Sequence, residues 1–319
     1  MVKSFVFVGN TEVGEIISER LLKCGFRAAY SADSAEAIII YCESQTDLED
    51  VFFDSAGLVQ SATPGTFLIN LSASTPGFAR ELDAVSLVSD LYSIEAPLLV
   101  KDPLAERAFS DADNLSCFVA GESERIDAIK PLLEAICSDV RITGSSGSAQ
   151  LAHAGMTILR SAQLVAGIEL EAMYKALSQP SDAAILAAYE LGIIKQQGVR
   201  LHNAIKNELF EGEYTAAMWM ADLSAALMTA DDCELILPGT ESCLHLLELL
   251  VVVGGASMST AALSLVYGEE AQCAKHGLDW TRAEQAYAED EHEHHDDCDC
   301  GHTHNHDDLS GGFSAYSAN

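Results

Sequence analysis

Positive charge is scarce in this chain: 17 Lys and Arg stand against 49 Asp and Glu, a formal net charge of -32 over 319 residues. Neutralising a phosphate backbone needs the opposite balance, so nucleic acid is excluded as the main partner. Proline is also sparse, at 7 residues, and none falls between Gly144 and Leu177. A paired cysteine framework is missing. The nine cysteines are scattered at 24, 42, 117, 137, 233, 243, 273, 298 and 300, mostly in apolar runs where a free thiol acts as a small hydrophobe. With no recognisable signal peptide, that usage leads us to expect a reducing, cytoplasmic location. Clean membrane spans are missing too. Of two apolar stretches, 151–168 contains His153, Arg160 and Gln163, while 244–266 contains His245, Glu248, a Gly-Gly pair and several serines. Neither has a flanking Lys/Arg cluster, so both read as buried helices of an all-α domain, with no membrane partner.

What is present suits two domains, since 49% apolar residues over this length can build substantial cores. The chain from Gly144 to Leu177 opens with a Gly/Ser turn and continues as a largely apolar run. Unbroken, it would make a helix of roughly 45 Å, too long for a local connection, and it reads as the spine between domains. Gln150, His153 and Thr157 share one face of it and should look into a cleft at the junction.

The amino terminus has the opening of a dinucleotide-binding βαβ unit. A Val/Phe strand ends at Gly9-Asn10-Thr11-Glu12-Val13-Gly14, and a helical pattern follows to Gly25. In such units the amides at the helix start face a pyrophosphate. Thr11 occupies the place of the middle glycine of G-x-G-x-x-G, where a side chain obstructs close approach of phosphate. Further strands are expected at Phe26–Tyr30, Ala37–Cys42 and Thr66–Leu71 with helices between, an alternation that implies a doubly wound parallel sheet. Ligands bind at the carboxyl ends of such strands, so Cys42, Glu43 and Ser72 join the six residues of the glycine turn as candidate cofactor contacts. Ser31 and Asp33 follow the second strand, where a ribose is read. No arginine accompanies them, favouring NAD over NADP, although Asp33 as a helix N-cap explains the same residue.

From Ile69-Asn-Leu-Ser-Ala-Ser-Thr-Pro76 and Glu95-Ala-Pro97 onward, residues 1 to about 287 resemble the β-hydroxyacid dehydrogenases. This group contains 3-hydroxyisobutyrate dehydrogenase and tartronate semialdehyde reductase and is related to 6-phosphogluconate dehydrogenase. Asn114-Leu-Ser-Cys-Phe-Val-Ala-Gly121, Lys130-Pro-Leu-Leu133, Gly144-Ser-Ser-Gly147 and His276-Gly-Leu-Asp-Trp280 carry the likeness further. The resemblance implies a Rossmann domain at 1–146, an all-α substrate and dimerisation domain at 147–287, and a homodimer. The very apolar 244–266 segment is expected to supply the contact between copies. At the functional positions the likeness fails. The family's D-A-P-V-S-G-G is Glu95-Ala-Pro-Leu-Leu-Val-Lys101 here, its catalytic lysine falls on His153, the asparagine four residues later falls on Thr157, and its K-D-L is Ala221-Asp222-Leu223. His153 and Thr157 are therefore the candidate catalytic residues. His153 reads either as a proton donor in place of lysine or as a junction histidine with no chemical role. Lys101 reads either as a replacement positive charge in the cleft or as a solvated loop lysine. Met218, Trp219 and Met220 read as core.

The last segment differs in kind. Glu289 to Asp308 holds six of the ten histidines, a Cys-x-Cys pair and nine acidic residues, a composition expected to be disordered over 288–319. His292, His294, His295, Cys298, Cys300, His302, His304 and His306 are candidate ligands for Zn, Ni, Cu or Co. The sequence thus points to an NAD(P)-binding oxidoreductase acting on a small hydroxy acid or aldehyde. A catalytically inactive nucleotide-binding protein and a metal-storage or metal-delivery protein are the alternatives.

Overall fold

The computed structural model describes residues 2–177, 182–192 and 195–286. The amino-terminal half runs β1 (Ser4–Gly9), α1 (Thr11–Lys23), β2 (Arg27–Ala28), β3 (Ala37–Tyr41), α2 (Gln45–Phe53), α3 (Leu58–Ser61), β4 (Phe67–Asn70), α4 (Pro76–Val88), β5 (Tyr92–Glu95), β6 (Leu98–Val100), β7 (Leu115–Ala120), α5 (Ser123–Ile136) and β8 (Asp139–Gly144). The remainder is helical, with α6 (Ser148–Ala176), α7 (Asp182–Leu191), α8 (Lys195–Lys206), α9 (Ala216–Asp231), α10 (Pro238–Leu250) and α11 (Glu270–Lys275).

The eight strands form one sheet in the order β2-β1-β3-β4-β5-β7-β6, with β8 paired to β7. From β2 to β5 every pairing is parallel, as expected for a Rossmann-type unit. The sheet is not parallel throughout, because β7 runs antiparallel to both β5 and β6. All five residues of β3 are buried, with Ala37, Ile39 and Tyr41 in one apolar cluster and Ile38 and Ile40 in the other. Period-two alternation between two covered faces is why this strand reads as continuous apolar sequence. Each of those isoleucines stabilises the fold by roughly 1.5–3 kcal/mol.

Two local expectations need correction. The second strand shrinks to Arg27–Ala28 because its register with β1 ends at Phe5 and the chain turns into a 3₁₀ segment, Ala32–Ser34. Ser31, not Asp33, caps that turn, through a reciprocal capping box with Ser34. The second correction concerns 244–266. Gly254, at φ +111, ends the helical run, a 3₁₀ turn follows over Thr260–Tyr267, and Leu247, Leu250, Val253, Leu263 and Leu265 are buried within the same chain. Leu244, Leu246, Leu249 and Val251 stay half-buried and Val252 is 38% exposed, so part of the segment's apolar surface still faces outward.

Gly147 starts α6 at φ +92, and a Cβ there would lie 2.7 Å from Arg80 Nη1 and 3.1 Å from the Pro76 carbonyl. Only glycine combines that conformation with that approach. The helix then runs 29 residues against α9 and α10, and one apolar cluster continues from the sheet into these helices. No helix among the described residues is long and apolar enough to cross a membrane.

Candidate active site

Gly9, Asn10 and Gly14 build the turn above the sheet for three different reasons. Gly9 has φ +109, and a Cβ on it would overlap the Tyr41 carbonyl at 2.1 Å. Asn10 caps α1, its Oδ1 accepting from the Val13 amide at 2.9 Å, and its Nδ2 donates to the Glu43 carboxylate. Gly14 lets the helix lie on Phe7, whose Cδ1 would be 2.6 Å from an added Cβ. Val13 beside it is core. Thr11 and Glu12 are the exposed first residues of α1. The backbone cradle therefore fits a dinucleotide pyrophosphate through the open end of α1, while Glu12 and Glu43 add negative charge beside it.

The other candidate cofactor residues divide by exposure. Ser31 and Asp33 are exposed beyond β2. Ser72 is buried, and its hydroxyl accepts from the Cys42 amide at 2.8 Å, joining the ends of β3 and β4. Burial, with Asp47 and Glu43 nearby, pushes the Cys42 thiol up to about 11, so it stays protonated at neutral pH. Residues 41–45 meet Met218, Ala221 and Asp222 of α9 around a cavity of only about 10 Å³.

The polar face of α6 separates into three roles. Gln150 is structural: its Oε1 accepts from the Ser74 amide at 3.0 Å and its Nε2 donates to the Ser72 carbonyl at 3.0 Å. Glu95 closes the start of the helix, accepting from the Gly147 and Gln150 amides, and burial raises its pKa. His153 is 2% exposed. The Leu98 carbonyl lies near the ring, and Nε2 has no hydrogen-bond partner among the described residues. Burial lowers its pKa, opposed by Asp222 and the Leu98 carbonyl and assisted by Arg160, so the ring is neutral at pH 7. Nε2 is thus uncommitted and able to take or give a proton.

Thr157, one turn on, borders a cavity of about 20 Å³ enclosed by Leu99, Val100, Pro103, Arg160, Leu164, Tyr214, Trp219 and Asp222. Tyr214 donates to Asp222 Oδ2 at 2.7 Å. Burial raises the Asp222 pKa against the opposing influence of His153, the Tyr214 hydrogen bond and Arg160. Trp219 is core, as its sequence suggested, but its Nε1 also donates to Ser161 Oγ at 2.7 Å and its ring borders the cavity. Sequence reasoning missed Arg160 and Tyr214 here and took Asp222 only as the remnant of a motif. The available signal was spacing, since Arg160 follows His153 by seven residues and therefore shares its face.

Lys101 does not enter this cleft. Its Nζ donates to the Asp113 carbonyl at 3.0 Å and Ser138 Oγ at 3.1 Å, bracing the loop before β7 from the far side of β6. Its alternation with the inward Val100 explains the direction. The eight tail residues singled out as metal ligands, His292, His294, His295, Cys298, Cys300, His302, His304 and His306, lie outside the described residues.

A parallel run of strands from β2 to β5, with a glycine turn opening α1 at its carboxyl end, is the architecture of a dinucleotide-binding domain. Residues 10–144 match the family described as the NAD binding domain of 6-phosphogluconate dehydrogenase. The chain is similar to 2-hydroxy-3-oxopropionate reductase of Escherichia coli (strain K12), at 24% identity over 79% of this chain and 86% of that protein. An uncharacterized oxidoreductase, YkwC, of Bacillus subtilis (strain 168) is 28% identical over 36% of this chain and 38% of its own length. Among solved structures, 3-hydroxyisobutyrate dehydrogenase of Mycobacterium tuberculosis with L-serine superposes with a TM-score of 0.68 at 16% identity, over 83% of this chain and 98% of that one. These matches support an NAD(P)-binding domain over residues 10–144 and a likeness to the β-hydroxyacid dehydrogenases along most of the chain.

Proposed function

We propose that the protein transfers hydride between NAD(P) and a small hydroxy acid or aldehyde, with His153 as the proton carrier. The observation that carries this reading is the buried, unpartnered Nε2 of His153, on the helix face where the family's lysine falls. The nicotinamide would supply or accept the hydride. The backbone amides of the Gly9–Gly14 turn would hold its pyrophosphate against the opposing Thr11 and Glu12 side chains, and the end of β3 would line the path to the junction. Neutral imidazole is the form that accepts a proton from an alcohol, and Asp222 stabilises the imidazolium that results. Thr157 offers a hydroxyl beside it. The lowered pKa of His153 thus suits oxidation at neutral pH and reduction under more acidic conditions.

NAD is proposed over NADP because Ser31 and Asp33 are exposed after β2 with no arginine between them. The division at residues 146 and 287, a cytoplasmic location and metal binding by the tail complete the proposal. A homodimer is also part of it. Its support comes from the part-exposed apolar residues of 244–266 and from the outward stripe of α6, where Leu151, Leu159 and Met173 are more than half exposed. Binding without turnover is the second reading, favoured by the tight closure of residues 41–45 on α9. Titrating the purified protein with NAD(H) and NADP(H), followed by a turnover screen of short hydroxy acids, separates the two. Nucleotide binding without turnover of any hydroxy acid or aldehyde would overturn the catalytic reading.

A further inference from the structure

Arg160 is a half-buried guanidinium with little to hold it. Among the described residues its one hydrogen bond runs from Nη1 to the Val100 carbonyl, and it takes part in no ion pair. A guanidinium carries five donors in a planar fork, and Asp222 on the same cavity attracts this one without forming an ion pair, so most of its donors are left for another acceptor. The remaining donors lie between two small cavities, one bordered by Thr157, Tyr214, Trp219 and Asp222 and the other by Pro103, Leu104 and Gln197. The first, at about 20 Å³, accepts about one or two water-sized groups, the bulk of a carboxylate.

The position of this fork relative to His153 is set by β6. The Leu98 carbonyl lies near the His153 ring, and the Val100 carbonyl accepts from Arg160. These are two residues apart on one strand, so they point the same way about 6.7 Å apart. His153 and Arg160 thus face one stretch of β6 from the same side of α6, two turns apart. The facing strand offers no competing anion site, because Leu98, Leu99 and Val100 are apolar and Lys101 is turned away.

We propose that Arg160 is the specificity-determining residue of this cleft, clamping the carboxylate of a small hydroxy or oxo acid from the α6 side. The proposal rests on the oxidoreductase reading for the role of the hydroxyl end alone. The test is calorimetric titration of the full chain, with and without NAD, using 3-hydroxypropanoate and its neutral analogue propane-1,3-diol. Wild type should bind the acid more tightly than the diol. Arg160→Met should weaken acid binding about 10- to 100-fold and leave the diol unchanged, and Arg160→Lys, which keeps charge but loses the fork, should fall between. His153→Gln should keep acid binding while losing turnover. Should Arg160→Met fail to fold, Arg160→Lys decides the matter. Acid binding that is absent in wild type, equal to that of the diol, or unchanged in the variants overturns the role of Arg160. Retained turnover in His153→Gln overturns the proton-carrier reading instead.

Discussion

The Tyr214 hydroxyl donates to Asp222 Oδ2 across 2.7 Å, orienting a carboxylate whose negative charge opposes the lowering of the His153 pKa. Because burial raises the Asp222 pKa, its charged form costs stability at neutral pH. The folded state holds this proton more firmly, so wild type gains stability as pH falls through the raised pKa toward the ordinary aspartate value. Asp222→Asn, which can still accept from Tyr214, should raise the melting temperature at pH 7 and lower kcat. Its advantage should shrink in melts at acidic pH. A lower melting temperature for Asp222→Asn at pH 7 would count against net destabilisation by the carboxylate.

His153 should govern the pH profile. Its folded pKa lies below the ordinary 6.5, so kcat/KM for alcohol oxidation should rise with pH through a midpoint below that value and then level off. Reduction should fall through the same midpoint. His153→Gln should remove this limb and lower kcat by at least about 100-fold with little change in nucleotide affinity. A midpoint above neutrality in steady-state profiles would contradict the structure.

At the glycine turn, Thr11 and Glu12 work against a dianionic ligand. Thr11→Gly with Glu12→Gln should tighten NADH binding about tenfold in fluorescence titrations, by opening the approach and removing a like charge. Wild-type affinity should improve with ionic strength more than that of the double variant, because salt screens the repulsion. Equal affinities would show that the pyrophosphate lies elsewhere.

Gln150 has both ends of its amide committed, to the Ser74 amide and the Ser72 carbonyl. Gln150→Leu leaves two buried backbone groups without partners and should destabilise the protein by about 3 kcal/mol in urea unfolding. A loss below about 1 kcal/mol would mean that water replaces the side chain.

Truncation after Tyr287 should abolish Zn or Ni binding in equilibrium dialysis, since it removes all eight proposed ligands. Nucleotide affinity and melting temperature should stay nearly constant. Unchanged metal stoichiometry would move the site into the body, where no group of three or more candidate ligand side chains gathers among the described residues.

The parallel core of the sheet, the glycine turn and the long helix were legible in the sequence because local periodicity and backbone chemistry set them. Ile38, Ile39 and Ile40 announce a strand covered on both faces, and Gly9 and Gly14 announce a close strand-to-helix turn. Substituted motif positions likewise showed where the family's lysine and carboxylate-binding loop had gone. Tertiary structure decided what replaced them. That Lys101 turns away, that 244–266 folds upon itself and that Asp222, Tyr214 and Arg160 converge near His153 depends on contacts between separate elements, such as Arg160 with Val100, 60 positions apart. Spacing within one helix can place His153, Thr157 and Arg160 on a common face. Only the packing of α6 against β6 and α9 fixes which partners each one meets and which donors remain free.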